Sequence, residues 1–136
     1  MKKLYFAILL LLALFFTSCS SLNFSDKKDI KKQITNEKFV LIAPYKVNKI
    51  FITFTDERVN GNSGVNMFMG SYKVTGNDNI TMGPLASTMM AGQIEDMVRE
   101  NYILSVLNSS KKVSFENNVL TFTTDDNQFL KFKKVN

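Results

Sequence analysis

The only cysteine, Cys19, stands just behind an uncharged apolar run, Leu4 to Phe16, and no other feature limits the fold as much. A lone thiol has no partner within the chain, so no disulfide can staple the domain behind it, and the core must hold by packing alone. The run itself spans thirteen residues. A membrane-crossing helix needs about 20 apolar residues, so the run is too short to cross and suits the apolar stretch of a secretory signal. Lys2 and Lys3 supply the positive segment in front of it, and Thr17 and Ser18 the small residues behind. Residues 1–18 therefore read as a cleaved export signal. The rest is the right size for one domain with a single hydrophobic core.

The junction Thr17-Ser18-Cys19 resembles the lipobox of bacterial lipoproteins, with Phe16 where that motif usually has Leu. The resemblance implies that Cys19 takes a diacylglycerol by thioether and becomes the acylated first residue of the mature chain. Buried acyl chains contribute about 0.8 kcal/mol per CH₂, and two or more give stable anchoring. The expectation is a lipid-anchored protein of the cell envelope. Ser20, rather than an aspartate, comes after the cysteine. In a cell with two membranes this favours the outer one, facing the periplasm.

Composition narrows the chemistry. There is no histidine, so Ser-His and Cys-His dyads and most zinc, copper and haem sites have no ligands to draw on. The net charge of +5 falls by two when Lys2 and Lys3 leave, and nucleic-acid binding calls for a more concentrated basic face. The carboxylate pairs Asp56-Glu57, Glu95-Asp96 and Asp125-Asp126 are sequence neighbours whose side chains diverge, which does not make an acid/base pair. Asp125-Asp126-Asn127 lacks the full calcium loop and reads as a solvated turn. The expectation is a protein with no catalytic residues, no metal, no cofactor and no nucleic-acid partner.

Residues 19–36 are polar and read as a membrane tether. Ile30 and Ile34, one turn apart, also allow a short helix, and the lysines around them suit anionic headgroups. From residue 37 to 136 the pattern is that of a domain. Strands are predicted at Phe39–Ile42, Lys49–Thr55, Met67–Val74, Ile80–Met82, Lys112–Phe115, Val119–Thr123 and Phe129–Val135. Asn60-Gly61 and Gly76-Asn77 mark turns, and Asn117-Asn118 suits a tight hairpin. One helix is predicted from Gln93 to about Leu107. Ile94, Met97, Val98 and Leu104 form its apolar stripe, and Glu95, Asp96, Arg99 and Glu100 lie opposite. Strands, one helix and strands again make a small α+β domain dominated by antiparallel sheet.

Four pieces in this order resemble the META domain, the domain of the heat-shock protein HslJ. They are Arg58-Val-Asn-Gly61 with Ser63-Gly-Val-Asn66, then Phe68-Met-Gly-Ser-Tyr72, then Ser87-Thr-Met-Met-Ala91, and the closing pair Asn118–Phe122 with Phe129–Phe132. The resemblance covers residues 38–136. It implies a half-barrel of antiparallel strands with one helix packed against it, and a non-enzymatic envelope role loosely tied to stress. Many members carry cysteines where this chain has Val65 and Gly92, so the family's implied disulfide has lost both partners together. Phe39 stands where the family has Trp, and Met89 where it has Arg.

Met67, Met69, Met82, Met89, Met90 and Met97 crowd one part of the chain. Methionine fills irregular cores, and it also lines adaptable apolar surfaces. The second reading makes Met67, Met69, Met89, Met90 and Met97 a groove between helix and sheet. It supports two functions from different classes. One is an envelope lipoprotein whose domain binds another protein; the other is a carrier of a lipid or small apolar ligand.

Overall fold

The computed structural model describes residues 29–136. The export signal at 1–18, Cys19 and the first part of the tether lie outside the described residues. In chain order the elements are α1 (Ile30–Ile34), β1 (Lys38–Ala43), β2 (Phe51–Phe54), β3 (Arg58–Asn62), β4 (Met67–Thr75), β5 (Asn79–Met82) and β6 (Ala86–Ser87). Then come α2 (Ile94–Ser109), β7 (Ser110–Glu116), β8 (Val119–Thr124) and β9 (Phe129–Val135).

The strands pair in the order β3-β2-β1-β9-β8-β7-β5-β4, and β4 pairs back onto β3. That last antiparallel ladder, Arg58 to Asn62 against Ser71 to Met67, closes an eight-stranded barrel. β6 adds a short ninth strand along Phe68 and Met69. The sheet is antiparallel and carries a helix, as expected, but the expected half-barrel is closed. Closure is hidden in the sequence because Asn60-Gly61 has the composition of a turn and sits instead in the middle of β3. Gly61 pairs with Ile52 on one side and Phe68 on the other. A Cβ there would fall 2.1 Å from the Phe51 carbonyl oxygen and 2.8 Å from the Phe68 ring. Glycine serves here to let a ring and a neighbouring backbone close in.

Period-two alternation sends Phe39 and Leu41, Ile52 and Phe54, Leu120 and Phe122, and Leu130 and Phe132 into the core. Each such side chain contributes roughly 1.5–3 kcal/mol on burial. The rings interlock: Phe54 stacks on Phe122 at 6.4 Å, and Phe122 meets Phe132 edge-on at 5.9 Å. Asn117 and Asn118 take φ of 51° and 63° in the hairpin between β7 and β8, the left-handed pair that a two-residue turn requires.

Two expectations change at the helices. The segment read as a tether ends in α1, whose Ile34 is fully buried in the core, and Thr35 bridges to Phe54. The folded body thus begins upstream of residue 37. In α2 three of the four residues of the expected stripe face outward: Ile94 is 82% exposed, and Met97 and Val98 are exposed with it, while Leu104 packs partly against the core. Ile103, Val106 and Leu107 are the residues that enter the core, joined by Glu100, which the helical periodicity assigns to the polar face. The helix packs on β5, β8 and β9 through its C-terminal half, while its first turns stand clear.

Candidate functional site

The loop between β3 and β4 and the segment after β6 are fastened together by one buried carboxylate. Glu100 is 5% exposed. Its Oε1 accepts from the Ser63 hydroxyl and from the Asn66 backbone N–H at 2.8 Å. Its Oε2 accepts from Asn66 Nδ2 at 2.7 Å. Asn66 then reaches outward. Its Oδ1 accepts from the Thr88 hydroxyl and the Met90 N–H, both at 2.7 Å, and its Nδ2 also donates to the Met90 carbonyl at 3.2 Å. Burial pushes the Glu100 carboxyl up, but donors from Ser63, Asn66 and the Val65 backbone outweigh it and hold it below its ordinary value. It is therefore ionised at neutral pH, and its lone pairs tie the loop to the helix.

This clasp explains why sequence pieces far apart belong together. Ser63 and Asn66 come from the first motif, Thr88 and Met90 from the third. The second motif supplies Gly70, where a Cβ would fall 2.7 Å from the Leu85 side chain. Val65 and Gly92 face each other, and a Cβ on Gly92 would lie 3.3 Å from that of Val65, close to the span of a disulfide. In this chain the valine methyls fill the space. Sequence reasoning misses Glu100 because its hydrogen-bond donors come from residues more than thirty positions upstream. The acidic run before it reads as an exposed face. The one local sign is a carboxylate one helical turn from Ile103 and Leu104, on the buried side.

The clasp holds an apolar surface. On β4, Met67 and Met69 point outward beside β6, and Met89, Met90 and Met97 are exposed on the segment after β6 and on α2. Met89 is 97% exposed, and Ile94 and Val98 on α2 are exposed as well. Met82 is buried. Met67 and Met69 border a shallow depression of about 400 Å³ whose other walls include Arg58 and Asn60. That depression lies between β3 and β4. The inner side of α2, at Ile103, Val106 and Leu107, is fully packed.

Polar groups nearby are committed to the fold. Ser63 is buried, its hydroxyl bound to Glu100 and the Asn66 carbonyl. Asp96 binds Arg99 at 2.7 Å and Lys49 at 3.4 Å, and these two hold its carboxyl below the ordinary value. At the same rim of the barrel Asp126 accepts from the Thr124 hydroxyl and from Gln128, which closes the Asp125–Asn127 turn on itself.

Residues 35–136, the whole barrel, match the model of the META domain family. The chain belongs to the META domain family. Its fold recurs in solved structures. A protein from Burkholderia xenovorans aligns at TM-score 0.65 and 19% identity, over 77% of this chain and 86% of that one. A second solution structure, 25% identical, aligns at TM-score 0.61 over 76% and 92% of the two chains. A DUF4847 family protein from Bacteroides vulgatus aligns at 0.58 and 11% identity, over 76% and 96%. No curated protein matches this chain. For a META domain with this clasp, the site residues suggested by the sequence divide in two: the five methionines are each exposed, and Cys19 lies outside the described residues.

Proposed function

We propose that this META domain is a non-enzymatic, lipid-anchored envelope protein that binds another protein through its methionine surface, in envelope maintenance or stress response. The observation that carries the reading is the pairing of a rigid backbone with soft, exposed side chains. The Asn66–Glu100 clasp holds Met90 and Thr88 by their backbone and hydroxyl, while Met67, Met69, Met89, Met90 and Met97 stay accessible. A contiguous exposed apolar patch on a small domain marks an interaction site, and methionine adapts to a partner's contour. The anchor is expected at Cys19, from its junction with the apolar run.

A carrier of a lipid or small apolar ligand is the alternative. The depression beside Met67, Met69 and Arg58 favours it, since it offers an apolar wall next to a cation.

A photo-crosslinking residue in place of Ile94, used in the producing cell, tests the first reading. One discrete crosslinked protein is expected, lost in Met89→Asp and Met90→Asp variants that keep the wild-type melting temperature. Crosslinks that survive both changes, or a lipid that co-purifies in native mass measurement, would overturn it. Cys19→Ser is expected to release the protein from membranes.

A further inference from the structure

Charge is distributed unevenly between the barrel wall and its turns. Eight strand residues are Lys or Arg and one, Glu116, is acidic. The other described carboxylates lie in turns, loops and helices. The cations concentrate on β1 and β9. Lys131 and Lys133 alternate outward with the buried Leu130 and Phe132, and Lys38 points out from β1. Among the described residues none of these three lysines has a carboxylate within ion-pair distance, whereas Lys134, on the same strand, pairs with Glu37 at 2.9 Å.

Of the six residues directly opposite these lysines, four are apolar (Val135, Ala43, Val40 and Val119) and two are threonines, Thr53 and Thr121. Lys133 stands directly opposite Val40 on β1 and Val119 on β8. Val40 in turn stands opposite Phe51 on β2. The Lys38 ammonium lies 4.2 Å from the centre of the Phe51 ring, and Lys131 5.7 Å from that of Phe129. This face therefore mixes cations that lack a carboxylate partner with partly exposed rings, valines and two threonines. A groove for a nucleic acid or another soluble polyanion would place free hydrogen-bonding groups throughout, whereas the Thr53 hydroxyl is bound to Asn60 and Thr121 is the other polar ladder neighbour of these lysines. Lysines framed by rings and aliphatic groups instead match the boundary between anionic headgroups and acyl chains.

Position in the barrel adds a second argument. β9 is four strands from β4 in either direction round the ring, so the lysine face and the methionine face are on opposite walls. A surface resting on β9 leaves Met67 and Met69 free.

We propose that the outer face of β1 and β9 docks on an anionic phospholipid bilayer, with Lys38, Lys131 and Lys133 on the phosphates and Phe51 and Phe129 at the headgroup boundary. The membrane itself is expected from the anchoring reading at Cys19, on which this proposal rests for its setting.

The chain has no tryptophan, so a single one is a clean reporter. Phe129→Trp reads the lysine wall and Met69→Trp the opposite wall, each in the chain as its host makes it, mixed with vesicles of brominated phosphatidylcholine with or without phosphatidylglycerol. F129W is expected to shift to the blue and be quenched on the anionic vesicles alone. M69W is expected to respond on neither. Lys131→Glu with Lys133→Glu should abolish the F129W response, as should high salt. Equal F129W signals on both vesicle types, or quenching that survives the double change, would overturn the proposal. So would an F129W response to a soluble polyanion with none to vesicles. Flotation with the vesicles reports the anchor separately: floating protein with a silent F129W sinks the docking face alone. A C19S chain that no longer floats, yet still responds at higher lipid concentration, leaves the face standing without the anchor.

Discussion

The two opposite walls of the barrel are built by different rules. The β9 wall follows simple alternation: Leu130 and Phe132 face in, Phe129, Lys131, Lys133 and Val135 face out, and an unbroken ladder joins it to β8, while its ladder with β1 shifts register once, between Leu41 and Ala43. The β4 wall is punctuated by glycines, and each vacancy is filled from elsewhere. Phe68 fills the space at Gly61, Leu85 that at Gly70, and Val65 that at Gly92. Its outer surface is held by a buried ionised carboxylate rather than by ladder bonds alone. On the first wall the inward residues do the folding and the outward ones are free for other chemistry. On the second, outward surface and inward packing depend on the same residues.

The largest test of this difference is Gly61→Val. No rotamer relieves a Cβ at 2.1 Å from the Phe51 carbonyl oxygen, so β2 and β3 must separate or Phe68 must leave the core. A loss of about 4 kcal/mol or more is expected, the range reached only by named core or backbone failures. Chemical denaturation should find the variant largely unfolded. A melt within a few degrees of wild type would show that β3 can move outward, and that barrel closure is softer than its ladders suggest.

The same contrast decides what is legible in the sequence. Strands that obey alternation, β1, β2, β8 and β9, can be read directly, because local pattern and burial agree there. β3 cannot. Asn and Gly are what a turn wants, and the need for glycine comes from the Phe68 ring on the next strand. Without β3 there is no β3–β4 ladder, and the pattern reads as a half-barrel. Periodicity places α2 correctly but rotates it wrongly. Ile94, Met97 and Val98 form a good stripe that the barrel never meets, and a stripe reading has no means of setting a carboxylate inside. The methionines stand out in the sequence, but five of them are exposed and Met82 is buried, a division that composition does not give. The clasp residue Glu100 depends on a loop more than thirty residues away and carries no local signature beyond its place on the helix.

A middle-sized effect should come from Glu100. Hydrogen bonds to a charged group contribute about 1.5–3 kcal/mol each, and cutting one partner leaves the others buried and unsatisfied. Glu100→Ala is expected to cost about 3 kcal/mol. It should also loosen Met89 and Met90, seen as faster amide exchange at Met90, while exchange along β9 stays unchanged. The pH dependence has a definite sign. The carboxyl is held below its unfolded value, roughly 4.3, so its stabilisation is complete above that pH and is lost as pH falls through the lower, folded value. Wild-type stability should therefore decline in acid, and Glu100→Gln should be weaker at neutral pH with a flatter acid limb. Parallel acid limbs for the two proteins would remove Glu100 as the group responsible.

The smallest effect belongs to the lysine wall. Lys131 and Lys133 point outward without a carboxylate partner among the described residues, and their backbone ladders do not depend on the side chain. Replacing either with Ser removes an ammonium that has no ion pair among the described residues, with a ring contact of 5.7 Å to Phe129 at Lys131, and, at Lys133, part of a stem opposite Val40 and Val119. The change in stability should stay within about 0.5 kcal/mol, the ordinary range for an exposed position. Denaturant midpoints for Lys131→Ser and Lys133→Ser, measured beside those of Gly61→Val and Glu100→Ala, set one wall against the other. A loss above about 1 kcal/mol at Lys133 would mean that its stem shields the outward valines as part of the fold. The two walls would then differ in degree only, and the lysines would have a sufficient reason to be there without any partner. A midpoint that does not move, or that rises as repulsion between neighbouring cations is relieved, leaves two exposed lysines that the fold does not need.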